Sequence, residues 1–400
     1  MSRQTQEAYI VAATRAPVGK APRGMLRHVR PDDMLVHVIK GALAQVPAIE
    51  PARVEDVVVG CAFPEAEQGL NMARIAALLA GLPDSVPGIT INRYCSSGLN
   101  AVQIAADRIR VGEADVVLAG GSESMSMVPM MGNKVALNPE IFARDESYAI
   151  AYGMGITAEK VARQWKVSRE DQDAFALESH RRAVAATASG AFDAEITPIE
   201  VTDRTPDLES GEVRYSKRML RHDEGPRADT SLEALSRLKT VFDAKGSVTA
   251  GNSSQTSDGA GAVVLVSESA LKRYSLTPLA RYVTFAVKGV PPAIMGIGPT
   301  VAVPAALERA GIRRDELKWI ELNEAFAAQA LAVIRDLDLD PRLVNPHGGA
   351  IALGHPLGAT GAIRTATLVH GMRGKRLTGY GMVTMCIGTG MGAAGIVEVL

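Results

Sequence analysis

An α/β fold built twice, with an inserted subdomain in its first half, is the class this sequence predicts. Three observations carry the prediction. Strand-like apolar runs alternate with stretches of helical period. The alternation occurs twice along the chain, in the same order. One long charged stretch interrupts only the first of the two copies.

The elements follow in order. Apolar runs at Tyr9–Ala13, Val57–Val59, Ile89–Ile91, Val116–Ala119 and Val263–Val266 read as the strands of the first half. Helical spacing fills the gaps at Asp33–Ala44, Asn71–Leu79 and Gly98–Arg110. Runs at Ala280–Val283, Trp319–Leu322, Leu343–Asn345, Met382–Met385 and Ile396–Val399 form the second series. Its helices are expected at Thr300–Ala310, Ala325–Leu337 and Gly358–His370. Such alternation implies mostly parallel sheets covered by helices. The last two strands of the second half are joined by a short Gly-rich turn, whereas Gly120 to Gly259 separates their counterparts. The expected division is therefore 1–120 plus 249–272 as one core half, 121–248 as the insertion, and 273–400 as the other half. The insertion offers helices at Thr157–Trp165 and Arg169–Ala186, the second capped by Ser168.

Composition excludes several classes. A net charge of −1 and 4 % aromatic residues argue against nucleic acid and anionic membrane partners. No run of 18 or more apolar residues occurs, so no membrane span is expected. Three cysteines in 400 residues make no disulfide framework and suit a reducing compartment. Met1 to Ala8 is polar, without the apolar core of a signal peptide. A cytoplasmic location is the expectation, with no metal and no tightly bound cofactor.

Three glycine-rich turns hold the reactive groups. Asn92-Arg93-Tyr94-Cys95-Ser96-Ser97-Gly98 follows a strand and opens a helix. Such a position favours an anion and is expected to lower the thiol pKa. Gly348-Gly349-Ala350-Ile351-Ala352-Leu353-Gly354-His355-Pro356 sets an imidazole among glycines, where it could accept the Cys95 proton. Cys386-Ile387-Gly388-Thr389-Gly390 puts a second thiol beside backbone N–H groups able to hold an oxyanion. Asn323 and Glu324 open the helix expected from Ala325, where Asn323 is an N-cap or an amide that orients water. Gly390, Gly392 and Gly395 match the spacing of a dinucleotide-binding fingerprint, but no helix or acidic ribose partner follows. Taken singly, each group has a structural explanation. Together, Cys95, Asn323, His355 and Cys386 all fall at carboxyl ends of expected strands, the edge where open α/β sheets bind ligands.

These turns, with Asn323-Glu324-Ala325-Phe326-Ala327, Gly120-Gly121-Ser122-Glu123-Ser124-Met125-Ser126 and Ala250-Gly251-Asn252-Ser253-Ser254, resemble the signature segments of the thiolase family over the whole chain. The resemblance implies a duplicated five-layer α/β/α/β/α core of two mixed sheets, with a loop domain that binds coenzyme A. By the same resemblance, Cys95 is the acylated nucleophile, His355 its activator and Cys386 the acid/base at the α-carbon. Asn323 orients a water, and Gly388 and Cys95 supply oxyanion N–H groups. Ser254 meets the pantetheine arm, Met154 and Phe326 line the acyl site, and Arg221 (with His222) is a candidate for the phosphates. Coenzyme A is a co-substrate. A homodimer or homotetramer is implied, with a β-oxidation complex as a further partner. Gly153 stands where acetoacetyl-specific relatives usually carry histidine, which favours a degradative enzyme over acetoacetyl-CoA synthesis. A non-catalytic acyl-CoA-binding protein is the rival class, and a redox sensor using both thiols a remote third. Cys61 is expected to be a buried structural residue and His180 a solvated one. His347 has no role assigned, and the Met125–Met131 cluster reads equally as interface or core.

Overall fold

The computed structural model describes residues 5–400. Residues 1–4, part of the polar start noted above, lie outside it. In chain order the strands are β1 (Ala8–Arg15), β2 (Gly19–Lys20), β3 (Asp56–Gly60), β4 (Gly88–Ile91), β5 (Val116–Ser124), β6 (Ile199–Pro206), β7 (Val213–Leu220), β8 (Ser257–Ser267), β9 (Ala280–Gly289), β10 (Leu317–Leu322), β11 (Gly379–Ile387) and β12 (Met391–Val399).

The duplication is visible in the pairing. The first half runs β4-β3-β5-β8-β1 and the second β10-β11-β12-β9. In each, the inner strands are parallel (β3 with β4 and β5; β10 with β11), and the closing strands are antiparallel. The sheets are thus mixed, not mostly parallel, because a tight turn joins β11 directly to β12 and forces them antiparallel. The expected strand Leu343–Asn345 shrinks to a single parallel bridge between Val344 and Ile320, in the place β4 holds in the first half. The halves also touch edge to edge. Tyr9 pairs with Arg281 and Ile10 with Ala280, so hydrogen bonds run continuously from β4 to β10.

Apolar burial then builds five layers. Helices Pro31–Ala44 and Met72–Leu79 cover the outer face of the first sheet through Met34, Leu35, Val38 and Ala76. Helix Pro299–Ala310 and helix Ala327–Asp336 cover the second through Ala302, Ala306, Ala330 and Val333. Between the sheets lie Ser97–Arg110 and Thr360–Gly374, sharing one cluster with strands of both halves. These two helices cross at Gly98 and Gly361. A Cβ on Gly361 would stand 2.0 Å from the Leu99 nitrogen, and one on Gly98 2.8 Å from that of Ala362. Only glycine permits this approach.

The insertion leaves the sheet after Ser124, later than Gly120, because Gly121–Ser124 still pair with β8. Its helices are Met154–Gln164 and Arg169–Ala188, and Ser168 caps the second by accepting the Asp171 N–H. The β6–β7 hairpin was not legible in sequence, since seven of the eight β7 residues are exposed and show no buried alternation. Buried charge ties the insertion to the core. Arg15 donates to Glu195 (2.6 Å) and to both Asp223 oxygens (2.6 and 2.9 Å). Removing one partner of such a buried group typically costs about 3–5 kcal/mol.

Candidate active site

Cys95 sits in a short turn, Tyr94–Ser96, between β4 and the central helix from Ser97. Tyr94 takes a left-handed conformation (φ 45°), which turns the chain sharply at the strand end. The backbone N–H groups of Gly388 and of Cys95 itself favour the anion of this sulfur. Burial nevertheless outweighs these donors and pushes the thiol up to about 11. The lowering expected from the helix terminus does not prevail, because desolvation penalises the anion more than N–H dipoles favour it. At rest Cys95 is a neutral thiol.

Cys386 is the penultimate residue of β11, buried, opposite Gly392 of β12. Burial raises its pKa, and the nearby Cys95 raises it further, so the two sulfurs are electrostatic neighbours. Gly388 lies in the tight turn before β12. A Cβ there would meet Met154 Sδ at 3.6 Å and the Tyr94 ring at 3.9 Å, so the turn faces the Cys95 side. Gly392 and Gly395 lie inside β12, not in a strand-to-helix turn, which agrees with the rejection of a dinucleotide fingerprint.

His355 is buried after Gly354, whose φ of 91° only glycine adopts readily. Its Nδ1 pairs with Thr360 Oγ1 at 2.6 Å, and its Nε2 lies 3.3 Å from Asn323 Nδ2. With Nδ1–H donating to Thr360, Nε2 keeps its lone pair and accepts from the amide. Burial and Arg364 hold the imidazole down at about 3, so it is a neutral base.

Asn323 follows β10, and its N–H donates to Thr384 of β11 (2.9 Å). The helix starts at Ala327, so Asn323 is not an N-cap. Glu324 explains the delay. Its carboxylate accepts from Ser179, Asn345 and the Ile351 N–H, pulling the segment off the helical path. Asn323 Oδ1 is buried and has no hydrogen-bond partner among the described residues. The Cys95 turn packs on the turn Leu357–Ala359 that follows His355. The four reactive groups thus converge on one rim.

Two hollows open at this rim. One, about 450 Å³, is lined by Cys95, Phe63, Met131, Leu137, Met154 and Leu357. The other, about 580 Å³, includes Lys20, His180, Arg227, Phe242 and Ser254. Phe326 separates them. It packs with Met154 and Cys386 on one side and meets Phe242 edge-on (6.1 Å) on the other. Ser254 donates its N–H to Ala325 (2.9 Å) and so sits beside the Asn323 segment.

Arg221 lies outside the second hollow, and so does His222; the cations there are Lys20 and Arg227. Asp223 and Glu224 cause this. They are drawn into the core by Arg15 and by the Val18, Lys20 and Met25 N–H groups, and only the chain beyond them folds over the hollow. His180 is buried, not solvated. Its Nδ1 accepts the Arg227 N–H (3.2 Å), and burial with Arg227 and Lys20 lowers its pKa to about 4. No periodicity signalled this, since the inserted helix carries polar residues all round. His347 is buried against Trp319 (4.9 Å) and Phe192, away from both hollows. Met125 is core, while Met130 and Met131 line the first hollow. Cys61 is buried at the end of β3.

Family models match along the chain: the thiolase N-terminal domain over residues 8–269 and the thiolase C-terminal domain over 276–399. A 3-ketoacyl-CoA thiolase of Bacillus subtilis (strain 168) is 50 % identical over 393 residues, 98 % of this chain and 99 % of that protein. The crystal structure of human mitochondrial 3-ketoacyl-CoA thiolase in complex with CoA superposes with a TM-score of 0.88 at 38 % identity, covering all of both chains. The Bacillus anthracis acetyl-CoA acetyltransferase structure matches equally, with a TM-score of 0.88, 38 % identity and full coverage of both. A duplicated core, two family models that together span it and near-complete sequence coverage coincide in one molecule: the chain belongs to the thiolase family.

Proposed function

We propose that this chain is a 3-ketoacyl-CoA thiolase, cleaving a 3-ketoacyl-CoA with coenzyme A into acetyl-CoA and a shortened acyl-CoA. The observation that carries the proposal is the convergence of Cys95, Cys386, His355 and Asn323 between an apolar hollow and a cation-bearing one. His355, neutral with an unprotonated Nε2, gives up the Asn323 amide contact and takes the Cys95 proton as the sulfur attacks the 3-keto carbon. Both groups are neutral at rest, so the proton moves with the attack and not before it. The Cys95 and Gly388 N–H groups hold the oxygen that becomes anionic. The Cα–Cβ bond breaks, leaving an acyl group on Cys95 and the enolate of acetyl-CoA. Cys386 protonates that enolate, and Asn323 with His355 holds its oxygen through a water. Coenzyme A then takes the acyl group from Cys95, giving ping-pong kinetics.

Ser254 fits the pantetheine arm, and Lys20 and Arg227 fit the phosphates in place of Arg221. Met154 and Phe326 border the acyl group. The apolar hollow supports chains longer than acetoacetyl, in a degradative, β-oxidation setting. Each methylene buried there is worth about 0.8 kcal/mol, or roughly fourfold in kcat/KM, until the hollow is full. The likeness to an acetyl-CoA acetyltransferase favours a second reading, acetoacetyl-CoA formation. A C4 to C16 substrate series separates them; activity confined to C4 overturns the degradative assignment. Mass spectrometry after mixing with acetyl-CoA tests the catalytic reading itself, and a protein that binds CoA without acquiring an acetyl group on Cys95 is a binding module. Three unpaired thiols support a cytoplasmic location. The outer strand β4, which exposes Ile89 and lies beside the helix end exposing Leu78 and Leu79, supports a homo-oligomer joined along that edge.

A further inference from the structure

The duplication creates a mirror image of the active site, and Glu123 fills it. Cys61 follows the Gly60–Gly121 strand pair as Asn323 follows the Leu322–Thr384 pair. Two residues beyond Gly121 is Glu123; two beyond Thr384 is Cys386. The central helices cross at Gly98 and Gly361, so Gly358 stands to its helix as Cys95 stands to the other. In the active half, the Cys95 turn faces a thiol. In the mirror half, the Gly358 turn faces a carboxylate.

That carboxylate is fully buried. Its Oε2 accepts from the Ala62 N–H (2.7 Å) and the Gly358 N–H (2.8 Å). Its Oε1 accepts from Gln68 Nε2 (2.7 Å), the Phe63 N–H (3.3 Å) and Cys61 Sγ (3.7 Å). Five donors and no acceptor surround it, so a proton on either oxygen would have nowhere to go. Burial raises its pKa, the N–H donors oppose that rise, and among the described residues no cation pairs with it. The donors it holds are not arbitrary. Phe63 and Leu357, the residue before Gly358, are walls of the apolar hollow beside Cys95. Gly358 is three residues from His355.

We propose that Glu123 is a positioning residue: a permanent internal anion that occupies the mirror-image cradle and clamps Phe63, Leu357 and the His355 turn around the acyl chain. It touches no reacting atom. Its negative charge also raises the Cys95 pKa, which helps keep the resting thiol neutral.

The inference rests on Cys95 being the acylated residue, and acetylation of the wild-type protein checks that separately. The variant is Glu123→Gln, which must set an amide NH₂ against backbone donors. Folded Glu123→Gln is expected to bind coenzyme A with unchanged Kd by calorimetry. Its kcat/KM should fall about tenfold for C4 and about a hundredfold for C12 or longer, and Cys95 alkylation by iodoacetamide should move to lower pH. A structural defect alone would cut all chain lengths equally and leave the alkylation profile in place; that pattern overturns the proposal. So does a variant with wild-type kcat/KM at every length. Should Glu123→Gln not accumulate as folded protein, Gln68→Met decides; at nearly constant size it removes the Nε2 donor to Glu123 together with the Gln68 bonds to Phe63 and Ser124. A threefold or greater loss confined to long chains supports the clamp, and an unaltered chain-length profile defeats it.

Discussion

The two ends of the pseudo-symmetric core differ by very few side chains, and the difference separates a reactive cleft from a structural plug. On one side a short neutral thiol, Cys386, faces the turn of Cys95, and Asn323 leaves an amide oxygen unpartnered. On the other a longer carboxylate, Glu123, accepts from five donors, and the position equivalent to Cys95 is the glycine Gly358. A Cβ on Gly358 would lie 2.6 Å from Cys61 Cα, so this side has no room even for a methyl group. A cradle of backbone N–H groups is therefore not a catalytic site in itself. It becomes one when the facing side chain is small, uncharged and leaves donors available to a substrate oxygen.

The comparison can be broken most severely at Cys95. Cys95→Ala removes the bond-forming atom, and kcat should fall at least about 10⁴-fold while coenzyme A still binds. Retained thiolysis in steady-state assays would show that the reactive cleft is elsewhere. Cys386→Ala comes next, with an expected loss of about 10²–10⁴-fold. Its signature is a split: Cys95 still becomes acylated from acyl-CoA, but deuterium exchange at the α-carbon of acetyl-CoA stops. Continued exchange would assign the proton transfer to another group. Asn323→Ala should cost about 10²–10³-fold, since it removes the donor to His355 and the free amide oxygen together. A KM effect without a kcat effect would count against an oxyanion role.

The mirror side should respond differently to the equivalent change. Cys61→Ala is expected to leave kcat/KM within about twofold and to lower stability by about 1 kcal/mol, read by urea unfolding. A large loss of activity would mean that the plugged cleft takes part in chemistry. The smallest effect on activity is expected at His347, also outside the reactive cleft. Burial holds its pKa at about 4, below the ordinary 6.5. The unfolded chain therefore takes up a proton first as pH falls. Stability should decline below pH 6.5 and level off near pH 4, by at most about 1.4 kcal/mol per pH unit from this group. His347→Gln should flatten part of that acid limb, and an unchanged slope would show that His347 titrates normally.

Much of this was legible in the chain. Local chemistry is written residue by residue, so the strands, the principal helices and the repeated order could be read from apolar period and turn residues. The position of Cys95 after a strand could be read the same way, whereas His355 follows the short helix Ala350–Leu353 and Cys386 lies inside β11. The misreadings share one cause. His180 looked solvated because its helix is polar all round, yet Arg227 folds over it. Asn323 looked like a cap until Glu324, bonded to Ser179 and Ile351 far along the chain, delayed the helix. Arg221 looked available until Arg15 drew Asp223 inward.

What the sequence determined by itself was the identity of the reactive groups and the duplicated framework that carries them, because propensity, period and turn chemistry act over a few residues. Only the tertiary structure decided the protonation states and which of two similar cradles is open. Desolvation and long-range hydrogen bonds set both, and each depends on residues that are neighbours in space and distant in sequence.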